Sequence, residues 1–134
     1  MLTTIWTSLI AIVDDDPSVR RSLRRVVQSA GYRVETFPSG RAFLDSLPRA
    51  RPDCVVLDLH LNGSGFDLQE RLTADGMSIP IIFITADDDA PTRKRIEMSG
   101  AAGHLWKPFD DQALLDVIVR AIDGTTMQPH GGLQ

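Results

Sequence analysis

Residues 9–17 read Leu-Ile-Ala-Ile-Val-Asp-Asp-Asp-Pro, so an apolar run stops abruptly at three aspartates and a proline. A short continuous apolar run rich in β-branched residues is typical of a strand buried on both faces of a parallel sheet. Asp16 is a good helix N-cap and Pro17 suits a first helical turn. Apolar residues then recur on one helical face, at Val19, Leu23, Val26 and Val27. The stretch therefore predicts a buried strand that is followed by three acidic residues and then by a helix.

The same alternation repeats along the chain. The predicted strands are Leu9–Val13, Tyr32–Phe37, Cys54–Leu57, Ile79–Ile84 and Gly103–Trp106. The predicted helices run from Pro17 to a stop at Gly31, from Ser39 to Leu47, from Gly65 to about Asp75, from Ala90 to Ser99 and from Asp110 to Ile122. Strict alternation of strand and helix indicates an α/β fold, a doubly wound parallel sheet of five strands with helices on both faces.

Length and composition favour one ordinary globular domain. The chain has 134 residues, 43% hydrophobic and 24% charged, enough for one core and little more. We expect the domain to span residues 8–123, with flexible termini at 1–7 and 124–134. The net charge of −4 argues against binding nucleic acid by bulk electrostatics.

The single cysteine and the hydropathy limit the class of protein further. Cys54 is the one cysteine, which excludes an internal disulfide and a zinc site built on thiolates. The amino terminus lacks the basic start of a secretory signal, and no apolar run reaches the roughly 18 residues of a membrane helix. We therefore expect a cytoplasmic protein that does not enter the membrane.

Charged residues follow three of the predicted strands. Asp14 and Asp15 follow the first, Asp58 the third and Lys107 the fifth. Parallel strands place their carboxyl ends at one edge of the sheet, where ligands bind in open α/β folds. Clustered carboxylates repel one another, and a divalent cation with oxygen ligands relieves that repulsion. A metal site with a lysine for an anion is one interpretation, and helix capping, turn formation and a salt bridge are the others.

This arrangement resembles the receiver domain of two-component response regulators, which has the flavodoxin-like (βα)5 fold. The resemblance covers about residues 8–123. The motifs that carry it lie at strand ends in the family's order: Asp14 and Asp15, Asp58, Thr85, and Lys107-Pro108-Phe109. Each motif is weak alone, whereas all of them in order are specific to the family.

The resemblance implies a phosphoacceptor rather than an enzyme with a separate substrate. Asp58 would take a phosphoryl group from the phosphohistidine of a sensor histidine kinase or a phosphotransfer protein, in a self-catalysed reaction that the site later reverses by hydrolysis. Magnesium would be held by Asp14, Asp15, Asp58 and the backbone carbonyl of His60. Thr85 and Lys107 would contact the phosphoryl oxygens.

The resemblance also implies the partners. Signalling would run through the face formed by the fourth helix, the fifth strand and the fifth helix, toward a downstream protein or an output domain outside this segment. Direct nucleic-acid binding by the segment is not expected. Receivers can pair through the same face, so homodimer formation is left open.

Two positions depart from the family's pattern. In the loop after the phosphoacceptor the family usually has a proline and later a glycine, where this chain has Asn62 and Phe66, and Gly63 and Gly65 come early, as if one residue were deleted. His104 stands where the family commonly has Tyr or Phe. We expect an altered loop and altered switching, and we expect His104 and Trp106 to lie on one side of the fifth strand.

Two alternatives remain at the level of sequence. Asp14, Asp15 and Asp16 mimic the Asp-x-Asp nucleophile of haloacid dehalogenase-like phosphatases, although that hypothesis leaves Asp58 unexplained. A degenerate receiver acting as a constitutive binding module is the other. Labelling with a small phosphodonor separates the first from a receiver, and a beryllofluoride titration separates the second.

Overall fold

The computed structural model describes residues 8–131, with side chains for residues 8–124. Ten elements alternate along the chain: β1 Leu9–Val13, α1 Pro17–Ser29, β2 Arg33–Phe37, α2 Gly40–Ser46, β3 Cys54–Asp58, α3 Gly65–Ala74, β4 Ile81–Thr85, α4 Ala90–Met98, β5 Gly103–Trp106 and α5 Asp111–Gly131. One parallel sheet has the order β2-β1-β3-β4-β5. The predicted doubly wound α/β fold is confirmed.

Side-chain alternation along the strands builds a separate core on each face of the sheet. On one face α1 and α5 cover the even-numbered apolar residues of β1 to β4, for example Ile10, Ile12 and Ile82, together with Leu105 of β5. On the other face α2, α3 and α4 cover the odd-numbered ones, including Val13 and Phe83, together with Trp106 of β5. β1, β3 and β4 are buried throughout. Because helices cover both faces of the sheet, these strands appear in the sequence as unbroken apolar runs.

The helix starts follow from local capping. The Asp16 side chain accepts hydrogen bonds from the amides of Ser18 and Val19 at the start of α1. Ser39 caps α2 and Asp89 caps α4 in the same way. A side-chain oxygen at the N-cap satisfies amides that have no partner within the helix. The observed element bounds lie within about two residues of the predicted ones, except at the end of α5.

The last helix is longer than the sequence predicts. The prediction ended it near Ile122 and left 124–134 as a flexible terminus, but α5 continues to Gly131. The tail from Gly124 lacks apolar periodicity and contains Pro129, Gly131 and Gly132, which predicts a loose segment. Once a helix is nucleated, however, residues without that periodicity can extend it. The predicted flexible residues 1–7, and 132–134 of the other terminus, lie outside the described residues.

Cys54 opens β3 and is fully buried. Burial, and to a smaller extent the nearby charge of Asp53, raises the pKa of its thiol to about 12. A thiol of this kind packs as a small apolar group and stays protonated at neutral pH. In the part of the chain that the structure describes, no helix is long and apolar enough to cross a membrane.

Candidate functional site

An acidic cluster lies at the carboxyl edge of the sheet. Asp14 follows β1 directly and Asp58 ends β3, and these two strands are neighbours. Asp14, Asp15 and Asp58 each offer one carboxylate oxygen, and these oxygens all lie within 4.8 Å of one another. Asp14 and Asp58 are buried, whereas Asp15 is exposed. The structure thus brings the three carboxylates predicted as metal ligands into one group.

Asp14 is the most constrained of the three. Its Oδ1 accepts a hydrogen bond of 2.9 Å from the Asp16 amide, while its buried Oδ2 has no partner among the described residues. Burial raises the pKa of Asp14, and the Asp16 hydrogen bond lowers it; Asp58 raises it, Lys107 lowers it and Asp15 raises it. A buried carboxylate oxygen without a donor carries a large desolvation cost. The position therefore suits a bound cation.

Asp58 is held by the backbone of the loop that follows it. Its Oδ1 accepts a hydrogen bond of 3.0 Å from the His60 amide. The amide of Gly65, the first residue of α3, donates a hydrogen bond of 2.9 Å to the Leu59 carbonyl. This bond closes the loop between β3 and α3. Gly63 and Ser64 have positive φ values of 92° and 76°, the left-handed region in which serine is uncommon. This short loop is the altered loop that the sequence predicts.

Thr85 and Lys107 complete the edge on the next two strands. Thr85 is fully buried at the end of β4, and its Oγ1 accepts a hydrogen bond of 3.0 Å from the Asp87 amide. The Lys107 amide donates to the Thr85 carbonyl at 2.8 Å. A cis peptide bond joins Lys107 to Pro108. Because the Lys107 charge lowers the pKa of Asp14, the lysine acts electrostatically on the cluster.

A side-chain contact that the sequence does not predict lies beside the acidic cluster, between His60 and Asp87. His60 Nε2 lies 2.7 Å from Asp87 Oδ2, and both side chains are about half exposed. The pair joins the loop after β3 to the loop after β4. The resemblance to receiver domains gives His60 a role only through its backbone carbonyl, and it gives Asp87 none. No periodicity links two loop residues so far apart in sequence.

His104 and Trp106 lie on the same side of β5, as predicted, with ring centroids 5.1 Å apart. His104 is exposed and Trp106 is partly buried against the core. The guanidinium of Arg93, on α4, lies 4.9 Å from the Trp106 ring centroid and also pairs with Asp88. Trp106 therefore packs against the core and against a side chain of α4.

The donor set fits a hard divalent cation. Three carboxylates supply only oxygen ligands, which suit magnesium or calcium better than a metal that prefers nitrogen or sulfur. The unpartnered Asp14 Oδ2 is the observation that favours a cation here. In contrast, Asp16 caps α1, which leaves an Asp-x-Asp nucleophile pair of Asp14 and Asp16 without its second member.

Comparison with known proteins gives the family. Residues 10–119 match the family described as the response regulator receiver domain. The chain belongs to this family. Nodulation protein W of Bradyrhizobium diazoefficiens is 43% identical over 117 residues, which cover 87% of this chain and 52% of that protein. Response regulator protein TmoT of Ectopseudomonas mendocina is 39% identical over 128 residues, covering 95% of this chain and 58% of that protein.

Solved structures agree with this assignment. A response regulator receiver protein from Burkholderia phymatum is 41% identical with a TM-score of 0.77, covering 87% of this chain and 96% of that one. Chemotaxis response regulator CheY4 of Vibrio cholerae is 30% identical with a TM-score of 0.76, covering 86% and 98%. The chain spans about half the length of the curated relatives, 52% and 58% for the two above. It is a receiver domain of a response regulator, consistent with two-component signalling.

Proposed function

We propose that Asp58 is the phosphoacceptor of this receiver domain. The observation that carries the proposal is the cluster itself, in which oxygens of Asp14, Asp15 and Asp58 lie within 4.8 Å of one another at the strand ends. The charge of Lys107 reaches the same cluster. Carboxylates that would repel one another are kept together where a divalent cation can neutralise them, and the same cation would attract the anionic phosphoryl group.

The donor would be a phosphohistidine on a sensor histidine kinase or a phosphotransfer protein. A carboxylate oxygen of Asp58 attacks phosphorus, the phosphorus–nitrogen bond breaks, and the leaving imidazole keeps the bonding electron pair. Hydrolysis of the resulting acyl phosphate returns the Asp58 carboxylate and releases inorganic phosphate. The reaction is self-catalysed, and the domain acts as a timed signal rather than on a separate substrate.

The surrounding residues would lower the barrier by positioning and charge. Magnesium held by Asp14, Asp15, Asp58 and the His60 carbonyl would neutralise charge on the phosphoryl oxygens. The Lys107 ammonium forms an ion pair with a phosphoryl oxygen. The Thr85 hydroxyl already accepts from the Asp87 amide, and its proton remains free to be donated. Both groups therefore bind the phosphorylated state more strongly than the free one.

The signal would leave through the face formed by α4, β5 and α5. The Arg93 guanidinium against Trp106 links α4 to β5 within that face, which supports treating the elements as one surface. The receiver, proposed to span residues 8–123, would act in the cytoplasm on a downstream protein or on an output domain outside this segment. The segment itself would not bind nucleic acid, and pairing with a second copy is open on the same face.

Phosphodonor labelling tests the proposal directly. Incubation with acetyl phosphate and magnesium is expected to add one phosphoryl group, and the Asp58→Asn substitution should abolish the addition. Asp75→Asn is the matched control, because Asp75 is an exposed carboxylate paired with Arg71 at the end of α3, and it should label normally. Labelling on Asp14 instead would favour the phosphatase alternative.

Beryllofluoride tests the remaining alternative. A receiver that switches should show magnesium-dependent changes in the amide spectra of β4 and β5 when beryllofluoride is added. No change in those strands, together with no labelling of Asp58, would favour a degenerate receiver that acts as a constitutive binding module.

A further inference from the structure

Arg20 stands apart from the other arginines of α1. Arg21, Arg24 and Arg25 are exposed, and among the described residues none of them has an ion pair or a side-chain hydrogen bond. Arg20 is partly buried, and its Nη1 donates a hydrogen bond of 2.7 Å to the backbone carbonyl of Asp14. Arginines at this spacing are by themselves typical of a solvated helix face. The contact with Asp14 points to a different role for one of its members.

We propose that Arg20 is a positioning residue for the cation site, holding the Asp14–Asp15 peptide so that both carboxylates face Asp58. The proposal rests on the proposed function in one respect, that the cluster binds magnesium. Arg20 is not itself a ligand, since its guanidinium is cationic and its contact is with the backbone carbonyl of Asp14. Its effect on the metal is indirect, through the geometry of the junction between β1 and α1.

The junction needs such a contact because little else holds it. The Asp14 amide donates to the Phe37 carbonyl at 3.1 Å, and Asp14 Oδ1 accepts from the Asp16 amide. In both hydrogen bonds the donor is a backbone amide, and neither bond involves the Asp14 carbonyl. Arg20 is the side chain that fixes that carbonyl, one peptide before the exposed Asp15. Three consecutive carboxylates repel one another, so without this contact the junction would open.

Arg20 also does not duplicate the helix cap. Asp16 accepts from the amides of Ser18 and Val19, and Pro17 starts the helix, so α1 can begin without the arginine. The guanidinium therefore acts on the residues before the helix, while the helix start is secured separately. This separation makes a specific loss of metal affinity expected when Arg20 is replaced, with the fold retained.

Magnesium titration of the full chain tests the proposal. Arg20→Gln is expected to bind magnesium about tenfold more weakly than the wild type, the lower end of the effect of removing an outer-shell partner of a metal ligand. Arg21→Gln is the matched control, because it removes the same charge from the neighbouring position and should keep wild-type affinity. Calorimetry measures binding without requiring phosphorylation, so the result does not depend on whether Asp58 is the phosphoacceptor.

Labelling kinetics give a second readout. In Arg20→Gln the magnesium concentration for half-maximal labelling by acetyl phosphate should rise about tenfold, in step with the loss of affinity, while the rate at saturating magnesium stays near the wild-type rate. Equal losses in Arg20→Gln and Arg21→Gln would overturn the proposal, because the effect would then be one of net charge. Wild-type affinity in Arg20→Gln would overturn it as well.

A conservative variant keeps the test decisive if Arg20→Gln does not fold. Arg20→Lys retains the charge but has a shorter reach and a single nitrogen, so we expect its magnesium affinity to lie between those of Arg20→Gln and the wild type. Wild-type affinity in Arg20→Lys, in the absence of a folded Arg20→Gln, would contradict the proposal. Failure of Asp58 labelling in the wild type would count against the proposed function alone.

Discussion

Asp14 carries a free-energy cost in the metal-free protein. Its carboxyl is 2% exposed, one of its oxygens has no hydrogen-bond partner among the described residues, and its pKa is raised chiefly by burial. A raised pKa in the folded state means that the folded protein binds the proton more tightly than the unfolded chain does. Ionisation of Asp14 thus lowers stability as pH rises from the ordinary value of 3.8 through the raised value.

Removing that charge should stabilise the apo protein. We expect Asp14→Asn to raise the free energy of unfolding at pH 7, with a chelator present, because it removes a buried charge that has an unpartnered oxygen. The gain should disappear toward pH 3, where the wild-type carboxyl is protonated. Urea denaturation at both pH values measures it. Asp15→Asn, at the exposed neighbour, should change stability by less than about 0.5 kcal/mol, and an equal gain there would contradict the argument from burial.

Local chemistry explains why some site residues could be predicted and others could not. Asp14, Asp58 and Lys107 end or follow apolar runs, and the end of a run marks the sheet edge in the sequence itself. The Arg20 contact with the Asp14 carbonyl leaves no such mark, since any backbone carbonyl accepts a hydrogen bond. The His60–Asp87 contact depends on the shapes of two loops. No pattern in the sequence predicts those shapes.

The start of α3 packs against the end of β3 at Gly65. A Cβ atom on Gly65 would lie 3.0 Å from the Asp58 carbonyl oxygen, 3.1 Å from Leu59 Cα and 3.2 Å from a ring carbon of Phe83. Two of these atoms belong to the backbone of Asp58, which ends β3, and of Leu59, the residue after it. The helix can approach so closely only because its first residue has no side chain.

Gly65→Ala should therefore disturb both stability and the site. We expect a loss of about 1–3 kcal/mol in the free energy of unfolding, as for other overpacked positions, and slower labelling of Asp58 by acetyl phosphate. Gly40→Ala is the matched control, because Gly40 also begins a helix and its added Cβ would meet only side-chain carbons at 3.6 Å or more. Similar losses of stability in the two variants would show that replacing a glycine at a helix start is the cause. Contact of the added Cβ with β3 would then not be the cause.

At the scale of the whole molecule, metal binding and folding should be linked. The three carboxylates come from two separate segments, around residues 14 and 58, so an unfolded chain does not present them together. A ligand that binds only the folded state stabilises it by mass action.

Magnesium at ten times its dissociation constant should raise the free energy of unfolding by about 1.4 kcal/mol. Thermal denaturation at increasing magnesium concentration measures the effect, with Asp58→Asn as the variant that should respond less and Asp75→Asn as the control that should respond fully. A midpoint that rises equally in Asp58→Asn would mean that magnesium acts elsewhere on the protein.

The overall architecture was predictable because burial on both sheet faces is recorded in the sequence. The unbroken apolar runs of β1, β3 and β4 predict central parallel strands, and the structure confirms them. The predicted end of α5 near Ile122 was wrong, because the residues after Gly124 lack the apolar periodicity of a packed helix and nevertheless continue it. The sequence also did not decide how Trp106 is partnered, because Arg93 reaches it from another element.

The buried thiol of Cys54 should not react with thiol reagents while the chain is folded. With its pKa raised to about 12 and its sulfur inside the sheet core, the native protein offers no reactive sulfur from its one cysteine. A cysteine introduced at Met98, which is 76% exposed, would then be the single point of attachment for a dye or spin label. The conformation of α4 could be followed from that label without first removing the natural cysteine.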